Sequence, residues 1–115
     1  MNDSTTSLGR KAEELVAKYF KKHKYNIVAQ NWRNRLCEID IIATKNGTVY
    51  FIEVKYRQNN HFGDGLDAIT GAKLNQMQFA ADNWVTKNAW TGQMQLVAVS
   101  VTGNPLQIVD IIEIE

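Results

Sequence analysis

The stretch that decides the fold is LCEIDIIATKNGTVYFIEVKY, Leu36 to Tyr56. Asn46-Gly47 sits between two β-rich runs and is a strong short-range hairpin signal, because both central residues of a type I′ turn need positive φ. A two-residue loop at Asn46-Gly47 fixes the register: opposed residues have numbers that add to 93. Asp40 then falls opposite Glu53, and Glu38 opposite Lys55. Alternation of side chains puts Leu36, Glu38, Asp40, Ile42, Thr44, Val49, Phe51, Glu53 and Lys55 on one face. Cys37, Ile39, Ile41, Ala43, Tyr50, Ile52, Val54 and Tyr56 take the other, which is nearly all apolar. A slip of one residue would mix the two sets, so the pattern itself supports the register.

Elements follow outward from this hairpin. Upstream, residues 1–6 are polar and without period, and read as a flexible N-terminus. Ser7 is a candidate N-cap, and Ala12, Leu15, Val16, Tyr19 and Phe20 form a helical stripe ending near His23. Residues 25–32 read as a strand. Downstream, 57–66 is a polar glycine-containing loop. Residues 67–88 read as a helix with Leu74, Met77, Ala81 and Trp84 on one stripe. Residues 94–101 and 106–112 read as strands joined by a turn at Gly103-Asn104-Pro105. The expectation is an α/β domain over 7–115, a mixed sheet flanked by helices in the order α-β-β-β-α-β-β.

The chain has 115 residues, 44% hydrophobic and 22% charged, with one proline and one cysteine. That is about one globular domain. A lone cysteine excludes an internal disulfide framework and any multi-cysteine zinc or iron–sulfur site. Apolar runs reach four residues, too short to span a bilayer, so no membrane partner is expected. The expected compartment is the cytoplasm. Net charge is +1 overall, but residues 1–58 carry +5 and residues 59–115 carry −4. A basic half permits a local phosphate-binding face.

The chemistry rests on Asp40, Glu53 and Lys55. Two carboxylates facing one another repel unless a proton, a lysine or a divalent cation offsets them. Oxygen donors of this kind suit Mg²⁺ or Mn²⁺, and a lysine two residues from Glu53 can orient water or offset developing charge. The pattern fits metal-assisted hydrolysis of a phosphodiester. The plain alternative is a surface acid pair with a lysine salt bridge. Arg10, Lys11, Arg33, Arg35 and Arg57 are candidate contacts to a DNA backbone, with the salt dependence that such contacts bring. Thr70 and Lys73, at the start of the second long helix, are candidates for a phosphate contact. Glu13 and Glu14 are adjacent, so only one of them can face a cleft.

Gly9-Arg10-Lys11-Ala12-Glu13-Glu14-Leu15, Asn31-Trp32-Arg33, Glu38-Ile39-Asp40-Ile41-Ile42-Ala43 and Phe51-Ile52-Glu53-Val54-Lys55 together resemble the bacterial YraN-like family. That family looks like a branch of the restriction-endonuclease-like superfamily, similar to archaeal Holliday-junction resolvases. The resemblance implies a catalytic set of Glu13, Asp40, Glu53 and Lys55. It also implies a metal site made by Asp40, Glu53 and the Val54 backbone carbonyl. The sequence departs from the family pattern at Ala12, Gly71 and Gln95, none of them an implied ligand. The expected function is a metal-dependent endonuclease acting on DNA, with branched junctions as a candidate substrate and a homodimer as the assembly that paired cuts require. A second reading keeps the fold as a DNA-binding or adaptor module without the reaction.

Overall fold

The computed structural model describes residues 3–57 and 70–115, with residues 3–6 described by their backbone alone. The elements are α1 (Asp3–Lys22), β1 (Asn26–Arg33), β2 (Glu38–Lys45), β3 (Thr48–Arg57), α2 (Gly71–Lys87), β4 (Gln93–Thr102) and β5 (Gln107–Ile114). This is the order expected from sequence. The five strands form one sheet in the order β1-β2-β3-β4-β5. Only the β3–β4 pairing is parallel; the other three are antiparallel. A parallel neighbour needs a crossover, and α2 supplies it.

Helix α1 starts earlier than Ser7. Its backbone is helical from Asp3, so most of the segment expected to be frayed continues the helix. Once the buried stripe has fixed the middle turns, each further residue adds a hydrogen bond without a new nucleation cost. Helix α2 has its N-cap at Thr70, whose hydroxyl oxygen accepts the Lys73 backbone N–H at 3.2 Å. The part of the expected helix before Thr70, most of the loop 57–66, and with them His61 and Gly63-Asp64-Gly65 lie outside the described residues.

The hairpin turn is as read: Asn46 has φ 51° and Gly47 φ 83°. Pairing runs from Lys45–Thr48 to Ile41–Ile52, every pair adding to 93. Near this turn Gly92 comes so close that a Cβ there would collide with the Gly47 carbonyl, which accepts the Gln93 N–H at 3.1 Å.

Both faces of the sheet are buried, as expected of a sheet flanked by helices. Ile41, Ala43 and Ile52 pack with Val97, Val99 and Val101 beneath Ala12, Val16, Ala17 and Phe20 of α1. Ile42, Val49, Phe51 and Leu96 pack beneath Met77, Ala80, Ala81 and Trp84 of α2. Ile39 belongs with Ile42 in this second cluster, not with Ile41. The strict two-residue alternation therefore breaks at Asp40. β1 is irregular as well, with a register shift between Ile27 and Ala29 and a positive φ of 54° at Asn31. Gln95 ties the sheet's other side together, donating from its side-chain amide to the Ile114 carbonyl at 2.9 Å.

Candidate functional site

The site lies where the β2–β3 ladder stops. A two-residue turn makes Lys45–Thr48 a hydrogen-bonded pair, and the same type recurs at 43/50 and 41/52. A continued ladder would make 39/54 the next such pair. Instead the Val54 N–H donates to Asp40 Oδ2 at 2.8 Å. Asp40 and Glu53 are thus near neighbours, but they are not the direct ladder pair that the hairpin register implied, and Glu38 and Lys55 are not paired either. Two carboxylates resist the tight spacing of a cross-strand pair. The strands part here, and a side chain takes over a backbone bond.

Asp40 is half-buried, and its carboxyl is pushed up to about 7, first by desolvation and then by the negative charge of Glu53. The Val54 N–H pulls the other way, Glu13 adds to the rise, and Lys73 lowers it. Glu13 is half-buried on α1, one turn beyond Arg10, whereas Glu14 is exposed. Burial also raises the Glu13 carboxyl; a side-chain hydrogen bond from Asn31 opposes this, and Glu53 and Glu38 reinforce it. Three elements therefore bring carboxylates within electrostatic reach of Glu13. Glu13 comes from α1, Glu38 and Asp40 from β2, and Glu53 from β3.

The cation nearest Glu53 is Lys73, whose Nζ lies 3.1 Å from Glu53 Oε2. The sequence pattern instead assigns Lys73 to a phosphate and places Lys55 two residues from Glu53 on the same face. Lys55 is half-buried on β3, in register with Ser100 of β4. Thr70 is engaged as the α2 N-cap, with its side chain on the Lys73 N–H. Two residues gain roles that their sequence positions did not announce. Asn31 holds Glu13, and its positive φ is a signal only once the backbone is known, although asparagine tolerates that conformation better than most residues. Lys73 partners Glu53 across a gap of twenty residues, which no local pattern reveals.

Open space flanks the acids on two sides. A cavity of about 340 Å³ is lined by Gly9, Arg10, Glu13, Asn31 and Arg33. A second, of about 440 Å³, has Glu38, Glu53 and Lys73 in its wall. Of the expected DNA contacts, Arg10 and Arg33 flank Glu13. Lys11, Arg35 and Arg57 are exposed and line neither cavity. Trp32 packs with the α2-side cluster, as a strand-end residue should, and Cys37 packs at its edge.

Among the described residues, no three His, Cys, Asp or Glu side chains converge closely enough to hold a metal ion by themselves. Mg²⁺, however, is commonly bound through one or two carboxylates with several retained waters. Asp40, Glu53 and the Val54 carbonyl are hard oxygen donors of that kind. Beyond desolvation, the negative charge of Glu53 and Glu13 helps to raise Asp40, and a divalent cation would neutralise it. The donor set therefore fits such an ion.

Comparison with known proteins places the chain. Among curated relatives, a protein of Geobacter metallireducens is 35% identical over 105 residues, covering 89% of this chain and 86% of its own. One from Chlorobium chlorochromatii is 43% identical over 84 residues, covering 73% and 65%. One from Leifsonia xyli is 36% identical over 95 residues, covering 82% and 80%. All three are described only as UPF0102 proteins. The family model described as uncharacterised protein family UPF0102 matches residues 12–114, and this chain belongs to that family.

Proposed function

We propose that the protein is a metal-dependent endonuclease that hydrolyses DNA phosphodiester bonds, with branched DNA as the leading substrate. The observation that carries this reading is the electrostatic coupling of Glu13, Asp40 and Glu53 at one end of the hairpin, with Asp40 half-buried and its carboxyl driven up to about 7. A purely structural element gains nothing from half-buried acids that repel each other, whereas catalytic sites regularly hold such groups.

Asp40 and Glu53, with the Val54 carbonyl, would hold Mg²⁺ or Mn²⁺. Such an ion, when bound, polarises the phosphate and lowers the pKa of a coordinated water. Glu13, fixed by Asn31, would orient water in the outer shell. Lys55 would offset charge developing on the phosphate. Arg10 and Arg33, flanking Glu13, would hold the DNA backbone on that side. Lys11, Arg35, Arg57 and Thr70 remain candidate backbone contacts further out.

The test is cleavage of a labelled four-way junction and of a matched linear duplex, with Mg²⁺ or Mn²⁺, by wild type, Asp40→Asn and Lys55→Ala. The reading predicts metal-dependent product from wild type, reduced at least about 100-fold in either variant, with DNA binding retained. Metal-independent product, or product unaffected by Asp40→Asn, would overturn it. The alternative is a DNA-binding or adaptor module, and the Lys73–Glu53 ion pair favours it, because that lysine satisfies Glu53 without a metal. It predicts junction binding that neither metal nor Asp40→Asn alters.

A further inference from the structure

The 440 Å³ cavity beside Glu53 has a wall that neither the acid cluster nor the core explains. Leu36 is 72% exposed and Phe79 48% exposed, and both line it. Leu36 is not on a loose loop. Asn34 Oδ1 accepts the Leu36 N–H at 2.8 Å and the Cys37 N–H at 3.0 Å, and the Asn34 N–H donates to the Cys37 carbonyl at 3.0 Å. The turn is thus braced from both sides and holds an apolar side chain out in solvent. Phe79 stands off the α2 stripe that packs the core, since Met77, Ala80, Ala81 and Trp84 carry that burial. Asn75 and Gln76 line it as well.

We infer that this groove is a subsite for an unpaired nucleobase lying next to the scissile phosphate. The inference rests on the nuclease reading and deepens it by naming the substrate class as DNA with an unstacked or single-stranded nucleotide at the cut. The groove is continuous with the acid cluster, because Glu53 and Lys73 stand in its wall. Its volume is within the range of small-ligand pockets. An aromatic face stacks on any base, an exposed aliphatic side chain wedges between base steps, and side-chain amides bond to base edges. Lys73, also in the wall, would meet the nucleotide's phosphate on leaving Glu53.

The test compares binding of a duplex carrying a short central bubble, labelled with 2-aminopurine in the unpaired segment, with binding of the fully paired duplex. Wild type and the double variant Leu36→Ala/Phe79→Ala are measured with Ca²⁺ replacing Mg²⁺. Both side chains are exposed, so the double variant keeps its core, which circular dichroism verifies. The expected result is a preference of about 10-fold for the bubble with quenched 2-aminopurine fluorescence, both lost in the double variant, while affinity for paired duplex changes less than twofold. Equal binding of the two DNAs, or a preference that survives the double variant, overturns the inference. So does a wild type that self-associates while the double variant is monomeric, since the patch is then a contact between copies. Cleavage by Mg²⁺-loaded wild type without any bubble preference sinks the groove and leaves the nuclease reading standing. A bubble preference that the double variant loses, without cleavage of either DNA, does the reverse.

Discussion

The two halves of one hairpin behave in opposite ways. From Asn46-Gly47 to Ile41–Ile52 the strands pair in unbroken register, and Ile41, Ile42, Phe51 and Ile52 are almost wholly buried. One residue further on, the pairing ends, a carboxylate replaces a backbone acceptor, and acids from three elements crowd together. The first half is consistent at every level: turn chemistry, alternation and burial agree. The second half violates the alternation and gathers like charge, as functional sites tend to do. Stability is built in one half and expended in the other.

Substitution separates the halves by the sign of its effect. Ile41→Ala removes a side chain with no exposed surface, in contact with the α1-side core. It should cost about 2–5 kcal/mol by urea denaturation, and a loss under 1 kcal/mol would mean that the paired half is not the stabilising one.

Asp40→Asn, one residue away, should instead stabilise the metal-free protein. A carboxyl raised from its ordinary value to about 7 favours the fold while protonated, and loses that advantage as pH rises from about 4 through 7. Asparagine keeps an acceptor for the Val54 N–H and carries no charge. The variant should therefore match wild type near pH 4 and exceed it by about 2–4 kcal/mol at pH 8, as read from parallel denaturation curves. A variant less stable than wild type at pH 8 would break the contrast.

Lys73→Met should have the smallest effect. The ion pair with Glu53 is partly shielded, with side chains 34% and 17% exposed. Its loss should cost about 1 kcal/mol at pH 7, and should raise the Asp40 carboxyl further, because Lys73 now holds it down. A lysine without influence on Asp40 titration would show that the two walls of the cleft are uncoupled.

The same division governs what the sequence made legible. The Asn46-Gly47 turn, the register adding to 93 and the order of elements follow from local pattern, because turn chemistry and a two-residue period act over a few positions. Choosing Glu13 over Glu14 came from resemblance; of the two, Glu13 is half-buried and hydrogen-bonded by Asn31, and Glu14 is exposed. That helices flank the sheet follows from two amphipathic stripes, but Ile42, Val49 and Phe51 alone do not show that α2 is the helix that covers them. The break at Asp40 was missed because alternation was extended past the point where two carboxylates had to meet. The Lys73–Glu53 pair, assembled by the crossover helix, left no local signal at all.

The most direct measurement is the titration of the Asp40 side-chain carboxyl by ¹³C NMR, without and with saturating Mg²⁺. The account predicts a midpoint near 7 in the metal-free protein, falling below about 4 when Mg²⁺ is present. An ordinary carboxylate midpoint near 4 in both conditions would contradict it, leaving neither a strained acid cluster nor a metal site at the end of the hairpin.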